Sequence, residues 1–174
     1  DNTLKAMKRH YDTGLYKKLV YSLRESFGEG CAITTDIMVG FPGESEEDHL
    51  ISLRFVDDIG FADGHIFPYS RRKGTLADKM PFQLDNKTKH KRAGQMAAVI
   101  AKSREAFLSK MVGKTVKVLF EKESSPLWHQ GHSDNYTLVK IKRISPELSL
   151  RRQMLDVCIT SYDNNCCYGE LTQK

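Results

Sequence analysis

The sequence predicts an α/β fold in two parts: the tail of a larger parallel α/β domain over residues 1–112, then a small all-β, OB-like barrel over residues 113–174. Three observations predict it. Between Thr13 and Met111 the apolar periodicity runs helix, strand, helix, strand, helix, the order that builds parallel sheets. Two strands cannot close a barrel or bury both faces of a sheet, so further strands are expected upstream and the chain reads as a piece of something longer. Past Gly113 the pattern changes to short period-two runs separated by turn residues, the grammar of a small antiparallel barrel.

The first helix is expected over Thr13–Phe27, where Leu15, Leu19, Val20, Leu23 and Phe27 recur at helical spacing and Gly28-Glu29-Gly30 ends the run. The stretch from Ala32 to Asp48 organises the rest of the chain. It starts as a β-branched strand, breaks at Gly40-Phe41-Pro42-Gly43, and restarts as an acidic helix in which Ser45 and Asp48 have capping-box spacing. Leu50, Leu53, Val56 and Ile59 would be the buried stripe of that helix. A second strand is expected over residues 64–69, then a basic loop, Arg71-Arg72-Lys73-Gly74-Thr75. A long helix is expected from Asn86 to Met111, with Ala93, Met96, Ala97, Ile100, Phe107 and Met111 on its apolar face and Gly113 as its stop. In the second part Thr115–Glu123, Tyr136–Ile144 and Met154–Tyr162 alternate as strands. Ser124-Ser125-Pro126, Gly131-His132-Ser133-Asp134-Asn135 and Asp163-Asn164-Asn165 read as turns.

A net charge of +5 on 174 residues is too mild to identify a nucleic-acid binder by itself. No apolar run is long enough to cross a bilayer, so no membrane partner is expected. The four cysteines, Cys31, Cys158, Cys166 and Cys167, form no CxxC and no zinc-type array, which points to reduced thiols in a cytoplasmic protein and to no metal site in these residues.

Four clusters carry candidate chemistry. With period-two alternation Ile33, Thr35, Ile37 and Val39 share one strand face, while Thr34, Asp36 and Met38 share the other. A carboxylate there can accept ribose hydroxyls or bond a neighbouring Lys or Arg. The Gly40–Gly43 turn lets backbone approach a ligand ahead of a helix N-terminus, or is a plain strand-to-helix connection. Phe67, Tyr69 and Ser70 can flank a purine or pack in a core, and Arg71, Arg72 and Lys73 can meet phosphates or stay solvated. Trp128, His129, His132, Asn135 and Tyr136, near Lys117, Lys140, Lys142 and Arg143, can stack on and clamp RNA or line a solvated barrel. His65 reads as structural. There is no G-x-G-x-x-G and no P-loop, so dinucleotide and P-loop readings fall away.

In that order and spacing, Thr34-Thr35-Asp36-Ile37-Met38-Val39-Gly40-Phe41-Pro42-Gly43-Glu44 and Phe67-Pro68-Tyr69-Ser70-Arg71-Arg72-Lys73-Gly74-Thr75-Leu76-Ala77 resemble the radical S-adenosylmethionine methylthiotransferases. Gly131-His132-Ser133-Asp134-Asn135-Tyr136 ahead of a strand resembles their C-terminal TRAM domain, an OB-like RNA-binding barrel. The His65-to-Arg72 form and Met80-Pro81-Phe82-Gln83 are most similar to the branch that methylthiolates threonylcarbamoyladenosine beside the tRNA anticodon. The isopentenyladenosine and ribosomal-protein branches are less similar.

The resemblance implies a partial radical-S-adenosylmethionine (βα) barrel joined to TRAM, with the tRNA anticodon stem-loop as partner. It implies S-adenosylmethionine and two 4Fe–4S clusters as cofactors. Asp36, Gly40, Pro42, Gly43, Glu44, Phe67, Tyr69 and Ser70 would hold the cofactor. Arg71, Arg72, Lys73, Lys117, His132, Asn135, Tyr136, Lys140 and Lys142 would meet RNA. The family's CxxxCxxC motif is absent, so the clusters are expected on residues upstream of Asp1 and these 174 residues alone are expected to be inactive. A stand-alone RNA-binding module and a nucleotide-binding regulatory domain are the competing readings.

Overall fold

The computed structural model describes residues 1–121, 125–143, 145 and 147–172. They form two compact units, Asp1–Ser103 and Arg104–Lys174.

The first unit begins with a short helix, α1 (Asn2–Ala6), and continues through α2 (Thr13–Phe27), β1 (Thr34–Val39), α3 (Glu46–Ile59), β2 (Asp63–Pro68) and the first part of α4 (Asn86–Ser109). β1 and β2 pair in parallel, with Asp36 opposite His65 and Met38 opposite Phe67. One face of this ribbon is packed. Val39 joins Val20, Val56, Ile59, Phe61, Met96 and Ile100 in a core contributed by all three longer helices, with Ile37 and Ile66 against it. The other face carries Asp36, Met38, His65 and Phe67, all exposed.

Local chemistry explains the α3 boundary. Ser45 Oγ accepts from the Asp48 N–H at 3.0 Å, Asp48 Oδ2 accepts from the Ser45 N–H at 3.0 Å, and Gly60 closes the helix in the left-handed region. Ser45→Ala is expected to lower the stability of the first unit by about 1 kcal/mol, read by denaturation followed at the helical circular-dichroism signal.

Several expected core positions are corrected. On α2 only Val20 is fully buried; Leu15, Leu19 and Phe27 are 55%, 57% and 72% exposed, because the helix turns its Tyr16 and Val20 side to the core. On α3 Leu50 is exposed and His49 takes a buried place; on α4 Ala97 is exposed, and the helix stops at Ser109.

The second unit is a closed barrel in the order β3-β4-β5-β7-β6, formed by β3 (Thr115–Phe120), β4 (Trp128–Ser133), β5 (Leu138–Lys142), β6 (Met154–Tyr162) and β7 (Cys167–Leu171). Val118, Phe120, Val139, Ile141, Val157 and Ile159 point inward, and Leu108 and Met111 join the same core. Two of its strands depart from the sequence pattern: Gly131–Ser133, expected as turn, belongs to β4, and β7 carries no alternation that predicts it. The expected strand residues Lys122, Glu123 and Ile144 and the expected turn residue Ser124 lie outside the described residues.

The turn before β7 is built on Asp163. It accepts from the Asn165 N–H at 2.7 Å, the Cys166 N–H at 2.9 Å and the Tyr168 hydroxyl at 2.8 Å, and these donors hold its carboxyl down to about 2. A carboxyl lower in the folded than in the unfolded chain contributes stability above the unfolded value and loses it as pH falls toward the folded one. The barrel is therefore expected to weaken between about pH 4 and pH 2, and Asp163→Asn to flatten that part of the profile in pH-dependent denaturation.

Candidate functional site

β1 brings Asp36 to the open sheet face through the alternation that sends Ile37 and Val39 to the core. Its carboxylate has no hydrogen bond or ion pair among the described residues. It borders a cavity of about 460 Å³ whose wall includes Thr35, Met38, Phe55, Phe67 and residues of the N-terminal segment, Asp1 to Leu4 among them. Of the expected cofactor residues, this cavity brings together Asp36, Glu44 and Phe67. It does not include Gly40, Pro42, Gly43, Tyr69 or Ser70.

Those five lie around the strand ends. Gly40 has φ +72° and Gly43 φ +82°, backbone that non-glycine residues avoid. A Cβ on Gly40 would fall 2.4 Å from Lys89 Cγ, whereas one on Gly43 would meet nothing within 4 Å, so Gly43 is where the turn leaves room for a ligand. Pro42 is buried in the turn. Tyr69 is buried edge-on against Phe41, ring centroids 5.5 Å apart, with Lys89 Nζ bonded to its carbonyl. Ser70 is exposed.

Glu44 has a different surrounding from the one expected. Its carboxylate is buried, accepting from Gly40 N–H at 3.0 Å and from Arg92 at 2.7 Å, with the ring of buried His49 3.8 Å away. Arg92, itself buried, also donates to the Glu44 carbonyl at 2.9 Å and to Glu46 at 3.2 Å. This network fixes the shape of the glycine turn. Sequence reasoning misses Arg92 and His49, since nothing local in sequence joins them to Glu44. His65, read as structural, is exposed beside Asp36, and the phase of β2 that puts Phe67 outward could have placed it there.

The basic loop divides. Arg71 is clamped to Asp78 through its Nε and donates to the Asp78 carbonyl at 2.8 Å, which holds the Asp78 carboxyl below its usual range. Arg72 and Lys73 have exposed side chains. On the barrel, Lys117 and Lys142 are exposed and Lys140 half-buried. Trp128 is opposite Lys142 and packs on Tyr168 at 5.2 Å, on the outer surface. His132 and Tyr136 stack at 4.7 Å, while Asn135 faces into its own turn.

Of the groups that the resemblance implies, the residues present fit one and not the other. A free carboxylate on an open sheet face that borders a cavity fits a ribose. The cysteines do not fit a cluster: among the described residues Cys166 and Cys167 are buried in the barrel, where burial raises both thiols, and no group of three or more metal-binding side chains occurs.

Fold and site together define a two-unit protein, an α/β half with a ligand-accessible carboxylate and a closed five-stranded barrel with aromatic and basic side chains outside. No protein-family model matches the chain. Curated relatives do. A tRNA-2-methylthio-N(6)-dimethylallyladenosine synthase of Caldicellulosiruptor saccharolyticus is 34% identical over 97% of this chain and 35% of its own length. One of Clostridium perfringens is 40% identical over 68% of this chain and 26% of its own length. The threonylcarbamoyladenosine tRNA methylthiotransferase MtaB of Bacillus subtilis is 30% identical over 82% of this chain and 32% of its own length. The chain thus spans about a quarter to two fifths of the relatives it matches, and within that span it belongs to the radical S-adenosylmethionine methylthiotransferase family.

Proposed function

We propose that this chain is the C-terminal part of a tRNA methylthiotransferase, with the first unit holding S-adenosylmethionine in a partial (βα) barrel and the second, a TRAM-type barrel, holding tRNA. The observation that carries it is the Asp36 carboxylate, exposed and unpaired among the described residues, on a sheet face that opens to a cavity. In water such a group is merely solvated; beside a ribose it accepts both hydroxyls in charge-assisted bonds.

In this reading Asp36 orients the cofactor ribose, Gly43 admits backbone contact, and Phe67 borders the adenine. Gly40, Pro42 and Glu44 keep the turn in shape, and Tyr69 and Ser70 belong to the facing loop. When bound, the cofactor would supply radical chemistry together with a cluster held by residues outside this chain, and Asp36 would orient its ribose. This chain alone is then inactive. The exposed Leu15, Leu19 and Phe27 of α2 suit a domain whose other helices are elsewhere in the protein. Arg72, Lys73, Lys117, Lys140 and Lys142 meet RNA phosphates, and Arg71 braces the loop that presents its neighbours.

The substrate is threonylcarbamoyladenosine next to the anticodon. The resemblance of His65–Arg72 and of Met80-Pro81-Phe82-Gln83 supports that branch, and one relative carries the same activity in its name, while the other two carry the dimethylallyladenosine one. The test is nucleoside mass spectrometry of tRNA from a strain lacking both methylthiotransferases and supplied with the full-length gene. The expected product is 2-methylthio-threonylcarbamoyladenosine. Methylthiolation of isopentenyladenosine alone would move the protein to the other branch.

A further inference from the structure

The turn between β4 and β5 holds a side chain in a conformation that side chains of its kind avoid. Tyr136 has φ +64° and is 82% exposed. It is nevertheless held firmly. Its N–H donates to the Ser133 carbonyl at 2.9 Å, and the Ser133 N–H donates to the Thr137 carbonyl at 3.0 Å. The Ser133 hydroxyl donates to Asn135 Oδ1 at 2.7 Å, and the Thr137 N–H reaches both of these oxygens at 3.2 Å. Asn135 Nδ2 in turn donates to Met111 Sδ at 3.4 Å, tying the turn to the barrel core.

The result is a ring laid parallel on another ring. Tyr136 and His132 stack at 4.7 Å with 19° between their planes, and His132 Nδ1 is 3.1 Å from Glu121 Oε1. Cross-strand pairing extends the strip: His132 is opposite Leu119, and Leu119 is opposite Met154, both exposed, with Lys117 two residues along the same face of β3. One face of Tyr136 is thus backed by protein. The other is open, since Tyr136 is 82% exposed, and exposed Lys117 shares the β3 face that carries Leu119. Flat, rigid, half-covered aromatics of this kind accept a nucleobase, since every base has a π-face, while a duplex keeps its bases stacked on each other.

We infer that Tyr136, backed by His132, is a stacking platform for one unpaired nucleobase of the RNA. This rests on the proposed reading of the barrel as the RNA-holding unit. Tyr136 is the contact; Asn135 and Ser133 are positioning residues that hold its backbone, and Lys117 meets a neighbouring phosphate. A polypeptide segment covering the same ring is the alternative occupant. The flat ring, 82% exposed and stacked on His132, together with exposed Lys117 on β3, favours a base.

The test uses the 174-residue chain with an anticodon stem-loop RNA and a fully paired hairpin stem of equal charge, titrated across a salt series. The wild-type chain is expected to prefer the stem-loop. Tyr136→Ala is expected to lose about tenfold or more for the stem-loop, with little change for the paired stem and an unchanged slope of log affinity against log salt. Tyr136→Phe is expected to bind as wild type does, and Lys117→Ala to weaken both RNAs and flatten the slope. Stem-loop binding by Tyr136→Ala equal to wild type overturns the inference and leaves the RNA-holding barrel standing. No binding of either RNA by wild type overturns both. Oxidative footprinting of the full-length enzyme separates the occupants: Tyr136 reactive alone and protected by RNA supports the platform, and Tyr136 protected without RNA overturns it.

Discussion

Arg92→Ala should destabilise the first unit by about 3–5 kcal/mol, the cost of leaving a buried carboxylate without its cation. The geometry makes the loss hard to repair. Arg92 reaches the Glu44 carboxylate and the Glu44 carbonyl with one nitrogen and Glu46 with another, and Glu44 in turn accepts from the Gly40 N–H. Both side chains are buried, so water cannot replace the guanidinium without opening the junction between α3 and α4. The glycine turn would loosen at the same time. Replacing both partners is expected to cost less: Glu44→Gln with Arg92→Met removes both charges while the glutamine carbonyl can still accept from Gly40. Circular dichroism in denaturant reads the effect, because the longer helices α2 and α3 belong to the first unit. Fluorescence of Trp128, the one tryptophan in the sequence, reports the barrel as reference. A single mutant as stable as the parent would show that the pair is not what fixes the turn.

Gly131→Ala should do comparable damage to the barrel. A Cβ there would stand 2.1 Å from the Leu119 carbonyl oxygen and 2.8 Å from Phe120 Cα, both on the neighbouring strand β3. These are backbone atoms, so no rotamer change relieves the contact and β3 and β4 must separate. The expected loss is about 3 kcal/mol or more, at the upper end of what overpacking costs. Gly169→Ala, whose Cβ would lie 2.4 Å from the Cys158 carbonyl oxygen, should behave alike. In both variants the Trp128 transition is the one expected to move, and an unshifted midpoint would mean that the barrel walls are looser than the structure draws them.

The same glycines explain what the sequence hid. β3 and β5 are legible because Val116, Val118 and Phe120, or Val139 and Ile141, recur at period two with Lys117, Glu121, Lys140 and Lys142 on the other face, where only Leu119 breaks the β3 pattern. β4 turns His129, Gly131 and Ser133 inward, and β7 turns in Cys167 and Gly169. Where strands of a small barrel crowd together, as at Gly131 and Gly169, the inward positions must be small, and neither small residues nor the polar His129 carry hydrophobic alternation. Asp36 is legible for the opposite reason, as a charge set within an apolar run, and so is the capping box at Ser45. Arg92 is not, because the carboxylate it holds is 48 residues away and its helix otherwise shows a basic outer face. The exposed Leu15 and Leu19 mark a further limit of periodicity: it finds the apolar side of a helix, but which part of that side is covered depends on neighbours.

The central claim is that Asp36 holds the cofactor ribose. Titration of S-adenosylmethionine into the full-length, iron- and sulfide-reconstituted enzyme tests it most directly, with Asp36→Ala compared against the parent at equal cluster content and equal thermal stability. Two charge-assisted bonds lost to an exposed site predict an affinity about 10- to 100-fold lower, with methylthiolation of tRNA falling alongside. An Asp36→Ala enzyme that binds S-adenosylmethionine as tightly as the parent and modifies tRNA at the same rate would contradict the account.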